Sequence, residues 1–109
     1  MTSPRLDAFQ VIADPSRRQM LQLLMKDSMT INNLAANFEM SRPAVSKHVK
    51  ALHDAGFIMI EDKGRERYCS LKEDGFRALK NWINYFDKFW IHKLQQLDTL
   101  LNQNIKQCS

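Results

Sequence analysis

The sequence has little of what stabilises small secreted or metal-binding proteins. Its two cysteines, Cys69 and Cys108, lie far apart and outside any CxxC pair, so neither a disulfide scaffold nor a zinc finger is predicted. No stretch approaches the roughly 18 uncharged apolar residues that a membrane span requires. Gly-rich phosphate loops, metal-ligand spacings and nucleophile motifs are absent as well. We therefore expect no enzyme, no cofactor and no membrane partner, and a fold that depends on its hydrophobic core.

Proline and glycine are also scarce, at three residues each among 109, and this length predicts one domain over residues 1–109. The start of the chain lacks the apolar core of a secretory signal, so a cytoplasmic protein is expected. Sixteen Lys and Arg against twelve Asp and Glu give a net charge of +4. This net charge favours anionic partners only weakly, and the position of the cations along the chain says more about binding than their number does.

Helix caps and apolar spacing divide the chain into a helix-rich order of elements. A first helix is predicted over residues 6–13, and a second begins after the N-cap Asp14 and runs to about Lys26. The apolar spacing of this second helix places Arg17 on its outer side. The next predicted part is a helix-turn-helix over about residues 30–56, with Thr30 and Ser41 as the N-caps of its helices and a stop at Gly56. A β-hairpin over about residues 57–71 follows, with strands at 57–60 and 67–71, and then one long helix over about 73–103. Residues 104–109 are expected to fray. This order predicts a mainly α winged helix-turn-helix fold with a β-hairpin wing and a long C-terminal dimerisation helix.

Positive charge is concentrated on the second helix of the predicted helix-turn-helix. Arg42, Lys47 and Lys50 lie there without an intervening acid, on the side away from the apolar stripe of Val45 and Val49. The predicted hairpin tip adds further cations. Cations along a helix are commonly only a solvated face, but together with a basic wing they predict binding to double-stranded DNA.

The long helix carries a run of aromatic residues that includes Trp82, Phe86, Phe89 and Trp90. Thirty helical residues extend roughly 45 Å, which is longer than so small a domain can cover. The run could be a dimer seam, a small-molecule pocket or ordinary core, and we favour the dimer seam. The alternatives to a DNA-binding regulator are a winged-helix protein-interaction module and a small-molecule-responsive regulator that uses this seam.

Four segments in order, residues 14–21, 41–49, 55–58 and 64–68, resemble the ArsR family of bacterial repressors. Phe89-Trp90 and Lys93-Leu94 also resemble the last helix of the family's SdpR-like branch. The resemblance implies a homodimer that binds an inverted repeat and blocks transcription. The implied DNA-binding residues, with their neighbours on the helix and wing, are Ser41, Arg42, Pro43, Ser46, Lys47, Lys50, Lys63, Arg65 and Arg67. The implied dimer interface combines the first and last helices through Phe9, Ile12, Trp82, Phe86, Phe89, Trp90, Leu94 and Leu97.

The sequence departs from the metal-sensing members of that family. They carry a Cys-x-Cys pair in the helix before the recognition helix, where this chain has none in residues 32–37. Asp87 and His92 are five residues apart and poorly matched for a shared ion. We expect no metal site, and the sequence does not identify a small-molecule effector, an operator or the direction of regulation.

Two further side chains have more than one interpretation. Cys69 is either a redox sensor, favoured by the neighbouring Arg67, or a half-buried structural thiol, which we prefer. His48 is expected at the edge of the buried stripe, where it would satisfy a local acceptor, with phosphate contact as the alternative.

Overall fold

A computed structural model describes residues 6–107, with side chains described for residues 6–103. Cys108 and part of the segment expected to fray, residues 104–109, lie outside the described residues, as does the start of the chain before Leu6. The chain divides into two compact units, residues 1–79 and 80–109.

The first two helices begin where their capping residues predict. Helix α1 spans Ala8–Ile12 and helix α2 spans Pro15–Lys26. The Asp14 carboxylate accepts hydrogen bonds from the backbone N–H groups of Ser16 at 2.8 Å and Arg17 at 3.1 Å. These bonds satisfy donors that a helix start leaves without an intrahelical partner, and the predicted cap of α2 is confirmed.

The helix-turn-helix consists of α3, Ile31–Ala35, and α4, Arg42–Asp54. The side chain of Thr30 caps α3 by accepting from the N–H of Asn33, and Ser41 caps α4 in the same way. Both predicted caps are confirmed.

Helix α4 ends in a Schellman motif that turns the chain into the sheet. The N–H of Phe57 donates to the carbonyl of Leu52 at 2.9 Å, and the N–H of Gly56 donates to that of His53 at 3.0 Å. Gly56 has φ +82°, a left-handed conformation that costs glycine little because it has no Cβ. The predicted stop at Gly56 is confirmed.

Three antiparallel strands follow the order β1-β3-β2, with β1 at Met29–Thr30, β2 at Ile58–Lys63 and β3 at Glu66–Leu71. The sequence pattern does not predict β1, because two residues are too few to show a periodicity. Its pairing of Met29 with Cys69 joins the segment before α3 to the wing.

The wing has the predicted extent, but its strands are longer and its turn is tighter than predicted. We expected the first strand to end at Ile60, but β2 continues to Lys63, which lies opposite Glu66. The turn therefore contains only Gly64 and Arg65, and Gly64 has φ +66°, as two-residue hairpin turns require. The added residues are charged and exposed, so they show none of the apolar alternation by which a strand is recognised.

One buried cluster fills the described part of the first unit. The predicted stripe of α4 is confirmed, since Val45, Val49 and Leu52 are at most 2% exposed. The sequence places Met20, Met25 and Met59 near predicted apolar faces and predicts that they fill the core. Met20 does, whereas Met25 and Met59 are exposed. The buried apolar residues in the described part of the chain are Val11, Met20, Leu21, Leu24, Ile31, Leu34, Val45, Val49, Leu52, Phe57, Ile58 and Cys69.

The C-terminal segment forms two consecutive helices where the sequence predicts one. Helix α5 spans Glu73–Tyr85 and α6 spans Asp87–Gln107. At Phe86 the backbone N–H donates to Ile83 three residues earlier, at 3.0 Å, so the chain makes a tighter turn before α6 begins. Neither proline nor glycine marks this break, which is why the sequence does not reveal it. Among the described residues, no helix combines the length and apolar character needed to cross a membrane.

The start of α5 lies close against the end of α4. The N–H of Gly75 donates to the carbonyl of Gly56 at 2.8 Å, and the ring of Phe57 meets that of Phe76 edge-on at 5.0 Å. A Cβ atom added at Gly75 would lie 2.7 Å from the Phe57 ring. Glycine is therefore the residue that permits this approach.

We expect Gly75→Ala to lower the free energy of unfolding by about 1–3 kcal/mol, because the added methyl group overpacks the contact with Phe57. Urea denaturation measures the change. The control is Lys80→Ala at an exposed position of the same helix, with an expected change of about 0.5 kcal/mol or less. Equal stability of Gly75→Ala and the wild type would show that Phe57 moves aside without cost.

Candidate nucleic-acid interface

Helix α4 separates its two faces as the sequence predicts. Its apolar stripe is buried, and its opposite side is exposed to solvent. The exposed residues include every position of α4 and its cap that we predicted to contact DNA, namely Ser41, Arg42, Pro43, Ser46, Lys47 and Lys50. The structure therefore brings these six side chains onto one surface.

The cations of this surface have no acidic partner among the described residues. No ion pair within 4.0 Å involves Arg42, Lys47 or Lys50 there. Arg42 is held by neutral groups instead: its Nε donates to Asn32 Oδ1 at 3.0 Å and its NH1 donates to Ser46 Oγ at 2.9 Å. The sequence analysis does not single out Asn32, because an asparagine on a short helix carries no pattern that points to a neighbouring helix.

The wing is less cationic than its sequence suggests. Lys63 lies 4.0 Å from a carboxylate oxygen of Glu61, and Arg67 Nε lies 3.1 Å from Asp62 Oδ1. Each acid compensates part of the charge that we expected the hairpin to present. Arg65, at the exposed turn, is the predicted wing cation without an ion pair among the described residues.

A groove of about 500 Å³ separates α4 from the wing. Ser46 and Lys50 line it from α4, and Arg67 lines it from β3, above an apolar floor that includes Val49 and Ile60. The two predicted contact surfaces thus meet at this groove, whereas Lys63 and Arg65 do not line it.

His53 also lines the groove, although the sequence places it only at the surface. Its Nδ1 lies 3.3 Å from a carboxylate oxygen of Asp54, which also lines the groove. An acid therefore borders the C-terminal end of the cationic face.

Arg17 connects three helices and is not the outward-facing residue that the periodicity of α2 predicts. Its side chain is only 13% exposed. It donates from Nε to the carbonyl of Val11 at 2.6 Å and from NH2 to that of Gln10 at 3.2 Å, and its NH1 lies 3.1 Å from His48 Nδ1. Because a guanidinium group has no acceptor, His48 accepts this hydrogen bond. We expected His48 to satisfy a local acceptor, whereas its partner is a donor on another helix.

The same cluster changes the pKa of the Asp14 carboxyl group. Burial alone raises its pKa, but hydrogen bonds from the backbone of Arg17 and Ser16, together with the positive charge of Arg17, outweigh burial. The net result is a pKa below the ordinary value of the carboxyl group. The ionised form therefore stabilises the fold at neutral pH, and this stabilisation is lost as the pH falls through the lowered pKa.

Cys69 is fully buried in the core. Burial raises the pKa of its thiol, and the charges of Arg67 and Arg42 lower it by less. Arg67 favours the thiolate, as expected, but burial outweighs its charge. The preferred interpretation as a structural thiol gains support, although the thiol is fully buried and not half-buried as expected.

The helices of the second unit expose a large apolar surface. Trp82 and Phe86 meet edge-on at 5.0 Å, and so do Phe89 and Trp90 at 5.2 Å. The predicted interface residues of this unit, apart from the half-buried Phe86, are more than half exposed: Trp82, Phe89, Trp90, Leu94 and Leu97. In the first unit, Phe9 is 41% exposed, whereas Ile12 is half-buried and packs against the core. Their place in a dimer interface stays a prediction.

His92, one of the two residues considered for a metal site, has another contact. His92 Nε2 lies 3.1 Å from the side-chain amide nitrogen of Gln96. Among the side chains that the structure describes, no group of three or more His, Cys, Asp and Glu residues is placed to hold a metal ion.

We expect Cys69 to react slowly with a thiol reagent in the folded protein and quickly in denaturant, because the buried thiol is neutral and inaccessible. The measurement uses the Cys108→Ser variant, so that one thiol is followed. Rapid reaction of the folded protein would contradict the structural interpretation and restore the redox-sensor hypothesis.

Comparison with known proteins supplies relatives over most of the chain. Residues 14–59 match the model of the family described as bacterial regulatory protein, arsR family. The transcriptional repressor SdpR of Bacillus subtilis is 35% identical over 83 residues, which cover 75% of this chain and 92% of SdpR. The HTH-type transcriptional regulator Rv2034 of Mycobacterium tuberculosis is 33% identical over 87 residues, which cover 80% of this chain and 78% of Rv2034.

Solved structures agree with these relatives. A possible transcriptional regulator for arsenical resistance is 42% identical, has a TM-score of 0.68 and covers 84% of this chain and 93% of its own. An ArsR family transcriptional regulator is 35% identical, with a TM-score of 0.71 and coverage of 76% and 91%. The resemblance drawn from the four sequence segments is confirmed: this chain belongs to the arsR family of bacterial regulatory proteins and has their winged helix-turn-helix fold.

Proposed function

We propose that this protein is a homodimeric repressor that binds an inverted-repeat operator in double-stranded DNA. The observation that carries the proposal is the exposed face of α4, where Arg42, Lys47 and Lys50 have no carboxylate partner among the described residues. Uncompensated cations beside hydroxyl donors suit the phosphates and base edges of a major groove. The names of the relatives, among them a transcriptional repressor, support the same function.

Residues of α4 divide into two roles in this proposal. Arg42 and Ser46, in the first turns of α4, read base edges, since the N-terminal part of a recognition helix enters the groove most deeply. Lys47 and Lys50 contact phosphates, which position the protein without reading sequence. Arg65 reaches the DNA backbone from the wing tip.

The exposed apolar face of α5 and α6 supports the homodimer. A contiguous exposed apolar surface on a single protein chain marks a site of interaction with another molecule. A two-fold axis would place the two copies of α4 in successive major grooves, about 34 Å apart. The operator would then be an inverted repeat.

Selection of bound duplexes from a random pool, with the protein's mass in solution measured alongside, tests the proposal. We expect an enriched inverted repeat and a dimer mass. A folded dimer that enriches no sequence would favour the protein-interaction module, and a monomer would overturn the role given to α5 and α6.

Arg42→Ala and Lys50→Ala should affect DNA binding differently. Arg42→Ala should relax sequence preference at one position of each half-site, because a base contact is lost. Lys50→Ala should weaken binding to all sequences alike and lower the salt dependence by about one unit, because one phosphate contact is lost. Binding titrations at several salt concentrations measure both, and unchanged preference in Arg42→Ala would show that another residue reads the base.

Leu94→Glu should shift the mass in solution from dimer toward monomer, because it places a charge in the proposed apolar interface. Operator affinity should fall with it. Gln95→Glu, an exposed neighbour on α6 outside the apolar face, is the matched control and should remain dimeric. A dimeric Leu94→Glu variant would exclude this face from the interface.

A further inference from the structure

Among the arginines that contact another side chain, Arg42 is held by a different kind of group. Arg17, Arg67 and Arg77 each lie within 4.0 Å of a carboxylate. Arg42 instead donates to the amide oxygen of Asn32 at 3.0 Å and to the hydroxyl of Ser46 at 2.9 Å. A neutral acceptor orients a guanidinium group but leaves its positive charge uncompensated. The arrangement therefore restrains Arg42 and keeps its attraction for an anionic partner.

The contact with Asn32 crosses from one helix of the helix-turn-helix to the other. Asn32 lies in α3, ten residues before Arg42. Arginine has no acceptor, so the amide of Asn32 must present its oxygen to Nε. Two of the five guanidinium N–H groups are thus used within the protein, and the remaining three exceed the two that a bidentate contact with a guanine requires.

We propose that Asn32 is a specificity-determining positioning residue, which aims the Arg42 guanidinium at a guanine in the operator. The inference rests on the proposed function and adds a residue outside the recognition helix to it. An arginine on a surface helix samples many rotamers, and ordering it on binding lowers affinity for the base it reads. By restraining Nε before DNA arrives, Asn32 lowers that cost for the geometry that suits guanine.

The test compares the guanine preference of five variants in competition titrations with duplexes that differ at the position read by Arg42. That position is first located as the one at which Arg42→Ala loses preference. Asn32→Ala should reduce guanine preference there by about tenfold, within the range that one bidentate contact provides. Asn33→Ala, an exposed neighbour on α3 without a contact to Arg42, is the matched control and should keep the preference of the wild type.

Two more variants separate positioning from a general structural effect. Asn32→Asp retains an oxygen acceptor but adds a negative charge, so guanine preference should remain while affinity for every duplex falls. On the Arg42→Ala background, Asn32→Ala should change preference no further, since the two residues act through one contact. Thermal unfolding of each variant verifies that the fold is kept.

The outcomes distinguish this inference from the proposed function. If the wild type enriches no sequence, the proposed function fails. If the wild type is selective, two results overturn the positioning role while sequence-specific binding stands. In the first, Asn32→Ala keeps the guanine preference of the wild type. In the second, Asn32→Ala lowers the preference by the same factor on the Arg42→Ala background as in the wild type.

Discussion

The contact between Phe57 and Gly75 holds together α4 and the wing, which carry the proposed DNA surface, and the start of α5. Phe57 is fully buried and follows directly on the Schellman motif that ends α4. Its carbonyl accepts from the N–H of Lys72 at 2.8 Å, which ties the end of β3 to the start of β2. Gly75 brings α5 against the same ring without space for a Cβ. The direction of α4, the root of the wing and the start of α5 are thus set at one place in the core.

The net positive charge of α4 and of the wing depends on which cations are paired with acids more than on how many cations each contains. The cations of α4 are free of acidic partners among the described residues, whereas Lys63 and Arg67 in the wing each face a carboxylate. Antiparallel register places Asp62 opposite Arg67, and opposite charges on adjacent strands attract each other. The wing therefore adds one unpaired tip cation, Arg65, to the proposed DNA surface, and α4 adds the three unpaired cations Arg42, Lys47 and Lys50 among the described residues.

Local signals made much of this fold predictable. Asp14, Thr30 and Ser41 each cap a helix as their side-chain chemistry requires, and the stripe of α4 is buried as its spacing predicts. The predictions that were wrong depended on distant partners or on weak local signals. Strand β1 exists through its pairing with β3, and the helix break at Phe86 occurs without proline or glycine. Arg17 faces inward because the carbonyls of α1 and the ring of His48 accept its hydrogen bonds.

The sequence by itself determined the order of elements, the helix caps and the cationic, acid-free face of α4, because these follow from spacing and from side chains acting within one or two turns. Only the tertiary structure decided which charges are compensated and which polar groups meet across elements. The pairing of Arg67 with Asp62 depends on strand register, the burial of Cys69 on sheet and helix packing, and the restraint of Arg42 by Asn32 on how α3 meets α4. Such contacts join residues whose separation along the chain carries no periodic signal, so they arise only when the core brings the elements together.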